Sequence, residues 1–162
     1  MRALAIDLGG EQWGWAAGEF PGSAPIRSGT ERLPDVSDGR LNAMFHERFY
    51  GLIRNHRPDV VATEEPFIHW ANFQPKQVRR WYQMLGVAHL CVYTAGLPGL
   101  REIHIGTYKK AFAGDGRAKK DDIVAECIRR GWEVKSEDEA DARAILCCVL
   151  EIPRPFGMEA TP

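Results

Sequence analysis

Five short segments of the chain have the apolar or alternating pattern that is typical of β-strands. The first, "RALAID", is almost continuously apolar, and the turn "LGGEQ" separates it from the second, "WGWAAGEF". The first three strands follow one another with only short connections, which predicts a meander. The predicted strands span residues 2–7, 13–20, 25–33, 59–65 and 101–105.

Helical spacing of apolar residues begins after the third strand and then alternates with the last two strands. Leu41, Phe45 and Ile53 share one face of a helix predicted at 38–56, and Pro58 ends this pattern. Further helices are predicted at 75–95, 107–113, 120–130 and 136–151. Three meandering strands followed by alternating strands and helices predict an α/β fold, in which helices flank both faces of a five-stranded mixed sheet.

The composition is that of an ordinary globular protein and excludes few functions. Of the 162 residues, 44% are apolar and 27% are charged, as in average soluble domains. The length predicts one domain over residues 1–152, followed by a tail at 153–162 with the Pro and Gly content of a loosely held terminus. No apolar run approaches the roughly 20 residues that span a bilayer, so we expect no membrane association.

The cysteines favour a cytoplasmic protein. The net charge implies that nucleic acid, if it is bound, is bound through local basic patches. All four cysteines lie in apolar helical patterns, and Cys147 and Cys148 are adjacent. This arrangement suits reduced core thiols better than a disulfide framework or a set of zinc ligands. The formal net charge is −1, so the protein as a whole does not attract nucleic acid.

The segment "SEDEADARAILCCVLE" (136–151) joins a cluster of acidic residues to an apolar helix. One interpretation is helix capping, since Ser136 and Glu139 have capping-box spacing and acids in a first turn offset the helix dipole. Capping does not require Asp138 and Asp141, which lie on one face of the helix. Two carboxylates on one face repel each other unless a cation lies between them. The segment alone leaves both interpretations open.

Further carboxylates are predicted at the ends of two strands. Asp7 ends the first strand and Glu64 or Glu65 ends the fourth, and α/β sheets usually bind ligands at such strand ends. A single acid of this kind is more often a solvated turn residue. Together with Asp138 and Asp141, however, these residues would provide four oxygen ligands, which suit Mg²⁺ or Mn²⁺. Two such ions about 3.5–4 Å apart can hydrolyse a phosphodiester.

The alternation of side chains along a strand distinguishes Glu64 from Glu65. Ala5 lies two residues before Asp7, and Ala62 lies two residues before Glu64. This shared pattern predicts a crowded face beneath the closing helix, with Asp7 and Glu64 at its edge. Glu65 is instead predicted to face solvent at the edge of the loop.

Four motifs resemble the RuvC family of Holliday-junction resolvases, in the same order and with similar spacing. They are "AIDLGGEQWGWA", "VVATEEPFI", "TYKKAFAGDGRAKKDDIV" and "DEADARAILC". The resemblance covers nearly the whole chain and implies a ribonuclease H-like fold. It also implies a catalytic site that holds two Mg²⁺ ions, with Mn²⁺ as a substitute, through Asp7, Glu64, Asp138 and Asp141. The chain departs from the family between Gly18 and Ser37, which leaves its substrate preference open.

The resemblance also implies which residues contact DNA. The two DNA-facing lysines of the family correspond to Lys109 and Lys120, and Lys120 is further expected to stabilise phosphate charge or to assist proton transfer. Phe67 matches the aromatic residue that unstacks bases at the junction. Other basic residues cluster nearby in the sequence, although each such cluster alone is usually a solvated face. They are Lys76, Arg79, Arg80, Lys110, Arg117 and Lys119.

These features predict a structure-selective endonuclease that binds branched DNA and nicks two opposed strands of a four-way junction. We expect a homodimer formed through the helix at 75–95, because its apolar residues cover more of the circumference than one core-facing stripe requires. One alternative is a non-catalytic DNA-binding or scaffold protein, which would have no reason to keep four acids. A nucleotide-binding sugar-kinase or actin-like domain would need a longer chain. The small YqgF-like relatives are a third alternative, against which the Lys109–Lys120 stretch argues.

Overall fold

The computed structural model describes residues 1–9, 12–21, 26–66 and 74–152, which form one mixed sheet covered by helices. The strands are β1 (Arg2–Leu8), β2 (Gln12–Glu19), β3 (Arg27–Arg32), β4 (Val60–Glu64) and β5 (Leu100–Ile103). The helices are α1 (Asp38–His56), α2 (Pro75–Thr94), α3 (Ile105–Ala113), α4 (Lys120–Arg129) and α5 (Glu137–Val149). The sheet order is β3-β2-β1-β4-β5. The first three strands are antiparallel and the last two run parallel to β1, which confirms the predicted mixed sheet.

Alternating side chains along the strands divide the core into two layers. Leu4 and Ile6 of β1 pack with α1 and α2 on one face of the sheet. Ala3 and Ala5 lie on the opposite face, against the helices α3, α4 and α5. Because these alanines are small, α5 can lie close to the sheet, and residues on every side of this helix are buried.

The predicted element boundaries agree with the structure to within two residues. One of the larger differences lies between β5 and α3, where we predicted that the strand would continue to Ile105. The strand ends at Ile103 because the next residue caps the following helix. His104 Nδ1 accepts the backbone N–H of Gly106 at 3.2 Å, so α3 begins at Ile105.

All four cysteines are free thiols, and three of them are buried, as predicted. Among the described residues, no helix combines the length and the apolar character that crossing a bilayer requires. The expected tail at 153–162 and Phe67 lie outside the described residues. The predictions made for them therefore remain predictions.

Candidate active site

The register of the two central strands brings Asp7 and Glu64 to the same level of the sheet. β1 and β4 are parallel, and Ile6 lies opposite Thr63. The next residue along each strand is the acid, so the two carboxylates leave the sheet side by side at the same edge. Asp7 and Glu64 are both half-buried.

The face on which these acids lie is the one predicted from the alternation of side chains. Ala5 and Ala62 are opposite each other in the sheet and pack in the core with α5. This confirms the predicted face of small residues beneath the closing helix. Glu65 is exposed, whereas Glu64 accepts a hydrogen bond inside the site. The structure therefore places Glu64, and not Glu65, among the clustered acids.

A glycine in β2 allows the N-terminus of α5 to approach the other acids. Gly14 lies opposite Asp7 in the sheet, and α5 passes directly over it. A Cβ added at Gly14 would overlap the backbone carbonyl of Asp138. Asp138 and Asp141 are 9% and 5% exposed, respectively, so both carboxylates are buried at the edge of the sheet where Asp7 lies.

The first turn of α5 combines capping with site chemistry, and different residues perform each role. Ser136 Oγ accepts the backbone N–H of Glu139 at 3.1 Å, as the capping interpretation predicted. Glu139 does not return this bond to Ser136. It accepts the backbone N–H of Lys135 at 2.9 Å and the hydroxyl of Ser28 at 2.5 Å, which ties α5 to β3. Asp138 and Asp141 take no part in these capping bonds, so their carboxylates are available to the site.

A buried tyrosine connects two of the acids. Tyr108, on α3, is 1% exposed. Its hydroxyl donates a hydrogen bond of 2.8 Å to Glu64 Oε2 and lies 3.4 Å from Asp141 Oδ1. Three elements, β4, α3 and α5, therefore meet at one hydroxyl group.

The electrostatics of the site reflect negative charge that is buried without full compensation. Burial raises the pKa of the Asp7 carboxyl well above its usual value, and the three neighbouring carboxylates raise it further. Burial also raises the pKa of Glu64, although the Tyr108 hydrogen bond opposes this shift. Burial raises the pKa of Asp141 to about 6, against the opposing effect of Lys109 and Lys120. Such clusters of perturbed carboxyls are typical of functional sites.

The two lysines predicted to face DNA lie beside these acids, but each already has a partner. Lys120 Nζ is 3.0 Å from Glu137 Oε2 in a half-exposed ion pair. Partial burial disfavours the charge of Lys120, but the bond to Glu137 outweighs this effect and raises its pKa. Lys109 Nζ donates to the backbone carbonyl of Ala118 at 2.8 Å. Lys109 therefore ties α3 to the start of α4.

The donor set fits a hard divalent cation, although the side chains are not yet arranged around one. Among the described residues, no three His, Cys, Asp or Glu side chains already form a group that could hold a metal ion. The acids that raise the pKa of Asp7 nevertheless form a cluster with oxygen donors only. Oxygen donors with excess negative charge match Mg²⁺ and Mn²⁺. Binding would require the carboxylates to rotate toward a common point.

The basic residues at the start of α2 make ion pairs with α1 and the segment before it. Asp35 Oδ1 lies 3.2 Å from Lys76 Nζ and 2.8 Å from Arg80 Nη2. Arg79 Nη2 lies 3.3 Å from Asp38 Oδ2. The side chain of Arg80 is only 8% exposed, whereas its partner Asp35 is 81% exposed, so the ion pair connects a buried position of α2 to the surface segment before α1. Lys110, Arg117 and Lys119 are exposed, as a DNA-contacting role requires.

Sequence reasoning did not identify Tyr108 or Gly14 as parts of the site. Tyr108 precedes Lys109 directly, and it lies three residues after Ile105 and four before Phe112. That spacing indicates a buried face of α3, which could have drawn attention to a polar atom at its inner end. Gly14 has no comparable signal, because its role depends on a helix more than 120 residues later in the chain.

No family model matches the chain, but individual relatives match most of its length. The crossover junction endodeoxyribonuclease RuvC of Ruegeria pomeroyi is 31% identical over 152 residues, which cover 91% of this chain and 90% of the relative. The enzyme of the same name from Rhizobium etli is 29% identical over 157 residues, which cover 91% of this chain and 88% of the relative.

Two solved structures have the same fold. The structure of Thermus thermophilus RuvC in complex with a Holliday junction substrate matches with a TM-score of 0.73 and 24% identity, covering 91% of this chain and 92% of that one. The yeast mitochondrial Holliday junction resolvase Ydc2 matches with a TM-score of 0.66 and 16% identity, covering 91% and 77%. These matches confirm the predicted ribonuclease H-like fold.

Proposed function

The chain belongs to the RuvC family of crossover junction endodeoxyribonucleases, and we propose that it resolves four-way DNA junctions by metal-dependent hydrolysis of phosphodiester bonds. The observation that carries this proposal is the convergence of four carboxylates from β1, β4 and α5 at one edge of the sheet. Buried carboxylates are costly and repel phosphate. A protein that only bound DNA would gain nothing from this cluster.

The residues that would hold two Mg²⁺ ions, or Mn²⁺ in their place, are Asp7, Glu64, Asp138 and Asp141. Such a pair of ions, when bound, activates water and stabilises the departing 3′-oxygen. The contribution of the chain is to hold the four carboxylates in place from three separate elements. Because β1, β4 and α5 all belong to the core, the backbone positions of the ligands are already fixed, and only the carboxylate groups would rotate on binding.

Lys120 is the residue best placed to reach the phosphate that reacts. Its ion pair with Glu137 is half-exposed, and such pairs contribute only about 0–1 kcal/mol, so a phosphate can replace the carboxylate. Lys120 would then stabilise phosphate charge or assist proton transfer. Lys109 would have a more structural role than Lys120, because its ammonium group is bound to the Ala118 carbonyl.

The exposed basic residues around the site would contact the DNA backbone. Lys110 directly follows Lys109 and Lys119 directly precedes Lys120. Lys76 and Arg79 would extend the contact to α2. Each phosphate that they neutralise on duplex DNA would add about 0.9 to the salt slope of binding. Arg80 would contribute mainly by holding α2 in position, since its side chain is buried. Phe67 is proposed to unstack bases, and a strong loss of junction cleavage in Phe67→Ala at a nearly unchanged melting temperature would support this role.

The surface of α2 supports the proposal of a homodimer. Tyr82, Leu90 and Tyr93 are 45%, 55% and 81% exposed, respectively. The intervals between them place all three on one side of the helix, where they form an apolar stripe. A dimer would bring two active sites to one junction, as paired nicks on opposed strands require.

The experiment that tests the proposed function compares four substrates with the same protein. Synthetic four-way junction, fork, flap and linear duplex are incubated with Mg²⁺, with Mn²⁺ and with chelator. We expect paired nicks in the junction with either metal and none with chelator. Binding of the junction without cleavage under every metal condition would support a non-catalytic DNA-binding protein instead.

A further inference from the structure

We propose that Tyr108 is a positioning residue for the metal site, whose hydroxyl fixes the Glu64 and Asp141 carboxylates relative to each other and so sets the affinity for the divalent cation. The inference rests on the proposed function, because it assigns a role to Tyr108 only if these carboxylates hold a cation. It differs from the lysine and carboxylate roles in that Tyr108 itself contacts neither metal nor DNA.

The tyrosine ring is held rigidly by the core. Tyr108 is 1% exposed and packs with Phe112 and Ile123 in the layer that also contains the apolar side of α5. Only its hydroxyl reaches the acids. A phenol has two rotatable side-chain bonds, and the packing fixes both of them, so the position of the oxygen is determined by the fold.

The hydroxyl makes unequal contacts with the two carboxylates. It is 2.8 Å from Glu64 Oε2 and 3.4 Å from Asp141 Oδ1. A phenol donates one proton, and the shorter distance assigns that proton to Glu64. Because the bond occupies one oxygen of Glu64, the other oxygen remains for a cation. Asp141 is held at the other side of the same hydroxyl, one turn of α5 from Asp138.

The Tyr108 hydroxyl opposes the electrostatic repulsion between the two carboxylates. Glu64 and Asp141 come from different elements, and without a group between them they would repel each other and rotate apart. The hydroxyl separates them with a neutral donor, so it adds no charge that would compete with a cation. Carboxylate ligands are generally oriented by such partners, whose removal typically lowers metal affinity or activity by about 10–100-fold.

The test removes the hydroxyl and measures metal binding directly. Tyr108→Phe keeps the ring and its packing, and Tyr50→Phe, on α1 in the opposite layer, is the matched control. Binding of Mn²⁺ to the full chain is measured by electron paramagnetic resonance without DNA. We expect about 10–100-fold weaker binding for Tyr108→Phe and no change for Tyr50→Phe. In junction cleavage, the Mn²⁺ concentration for half-maximal rate should rise by a similar factor, while saturating metal restores most of the rate.

Replacement of Tyr108 by 4-aminophenylalanine provides a second variant, because the amine restores a neutral donor in a ring of similar size. This variant should bind Mn²⁺ more tightly than Tyr108→Phe. Equal or tighter Mn²⁺ binding by Tyr108→Phe would overturn the inference, as would failure of the amine to recover any affinity. If Asp141→Asn bound Mn²⁺ as tightly as the unaltered chain, the proposed function itself would fail. Loss of binding in Asp141→Asn with full binding in Tyr108→Phe would reject only the role of Tyr108.

Discussion

At the scale of single residues, the site consists of carboxyl groups that the fold buries against their electrostatic preference. Burial and mutual repulsion raise the pKa of Asp7, and burial raises the pKa of Glu64 and of Asp141. The neighbouring positive charges only partly compensate, since Lys120 is shared with Glu137. The free protein therefore carries an unfavourable concentration of charge that a divalent cation would relieve.

This electrostatic arrangement predicts a pH dependence of stability. A carboxyl whose pKa is higher in the folded than in the unfolded state stabilises the fold below its unfolded pKa, and this contribution is lost as pH rises through the folded pKa. For Asp141 the loss falls between its usual value of 3.8 and about 6. In chelator, the melting temperature should fall across this range, and less so in Asp141→Asn. A melting temperature that rises equally in both proteins over this range would contradict the assignment.

The adjacent acids Glu64 and Glu65 offer a second residue-scale prediction. Glu64 accepts the Tyr108 hydrogen bond inside the site, whereas Glu65 is exposed. Glu64→Gln should therefore lose junction cleavage by orders of magnitude, while Glu65→Gln loses tenfold or less, about 1.4 kcal/mol of the activation barrier. Rates of nicking under single-turnover conditions provide the comparison. If Glu65→Gln were inactive and Glu64→Gln active, Glu65 would replace Glu64 as the assigned metal ligand.

At the scale of elements, the position of α5 over the sheet determines the geometry of the site. Gly14 allows the first turn of α5 to approach β2, and Glu139 anchors that turn to β3 through Ser28. Arg143, one turn later, donates to the same Ser28 hydroxyl at 2.8 Å. These contacts fix the part of α5 that carries Asp138 and Asp141.

A methyl group at position 14 should displace α5. Gly14→Ala would overlap the backbone of Asp138, and we expect a loss of about 3 kcal/mol in the free energy of unfolding, at the upper end for overpacking. The rate of junction cleavage by Gly14→Ala should also fall, because the displaced helix carries Asp138 and Asp141. Gly51→Ala, in α1 with open space around it, is the matched control and should be neutral or stabilising by about 1 kcal/mol. Equal stability of the two variants, measured by urea denaturation, would show that α5 does not depend on this contact.

The sequence was sufficient to predict the elements, because these depend on local patterns. It also predicted that the four acids would lie close together, from their positions at the ends of strands and of one helix and from the family resemblance. Alternating small residues before Asp7 and Glu64 marked the face beneath α5, and the strand register agrees. The contacts of Tyr108 and Gly14 could not be predicted, since each depends on how distant elements approach one another. The ion pairs of Arg80 were missed for the same reason, as Asp35 lies 45 residues away in the chain.

At the scale of the whole molecule, the two faces of the sheet have different roles. The face covered by α3, α4 and α5 carries the acids and the lysines beside them. The opposite face is covered by α1 and α2, and α2 presents the apolar stripe of Tyr82, Leu90 and Tyr93 to solvent. This division would let two copies associate through α2 while both active sites stay open to DNA.

The proposed dimer can be tested by placing a charge in the stripe. Leu90→Glu should convert the dimer to a monomer and abolish paired nicking, because a charge within an apolar interface is costly to bury. Ile128→Glu is the matched control, since Ile128 is 65% exposed on α4. Sedimentation over a range of concentrations gives the masses. A monomer mass for the unaltered protein at every concentration, with and without junction DNA, would reject dimerisation.

We propose that the clustered acids catalyse cleavage and do not merely cap or stabilise the fold, and Asp7→Asn tests this role most directly. Asp7 lies at the centre of the carboxylate cluster, and it takes no part in capping α5. One gel assay with a synthetic four-way junction and Mg²⁺ reports both binding and nicking. We expect Asp7→Asn to bind the junction as tightly as the unaltered protein or more tightly, because repulsion of phosphate is reduced, and to leave it uncut. Nicking at an undiminished rate by Asp7→Asn would contradict the account.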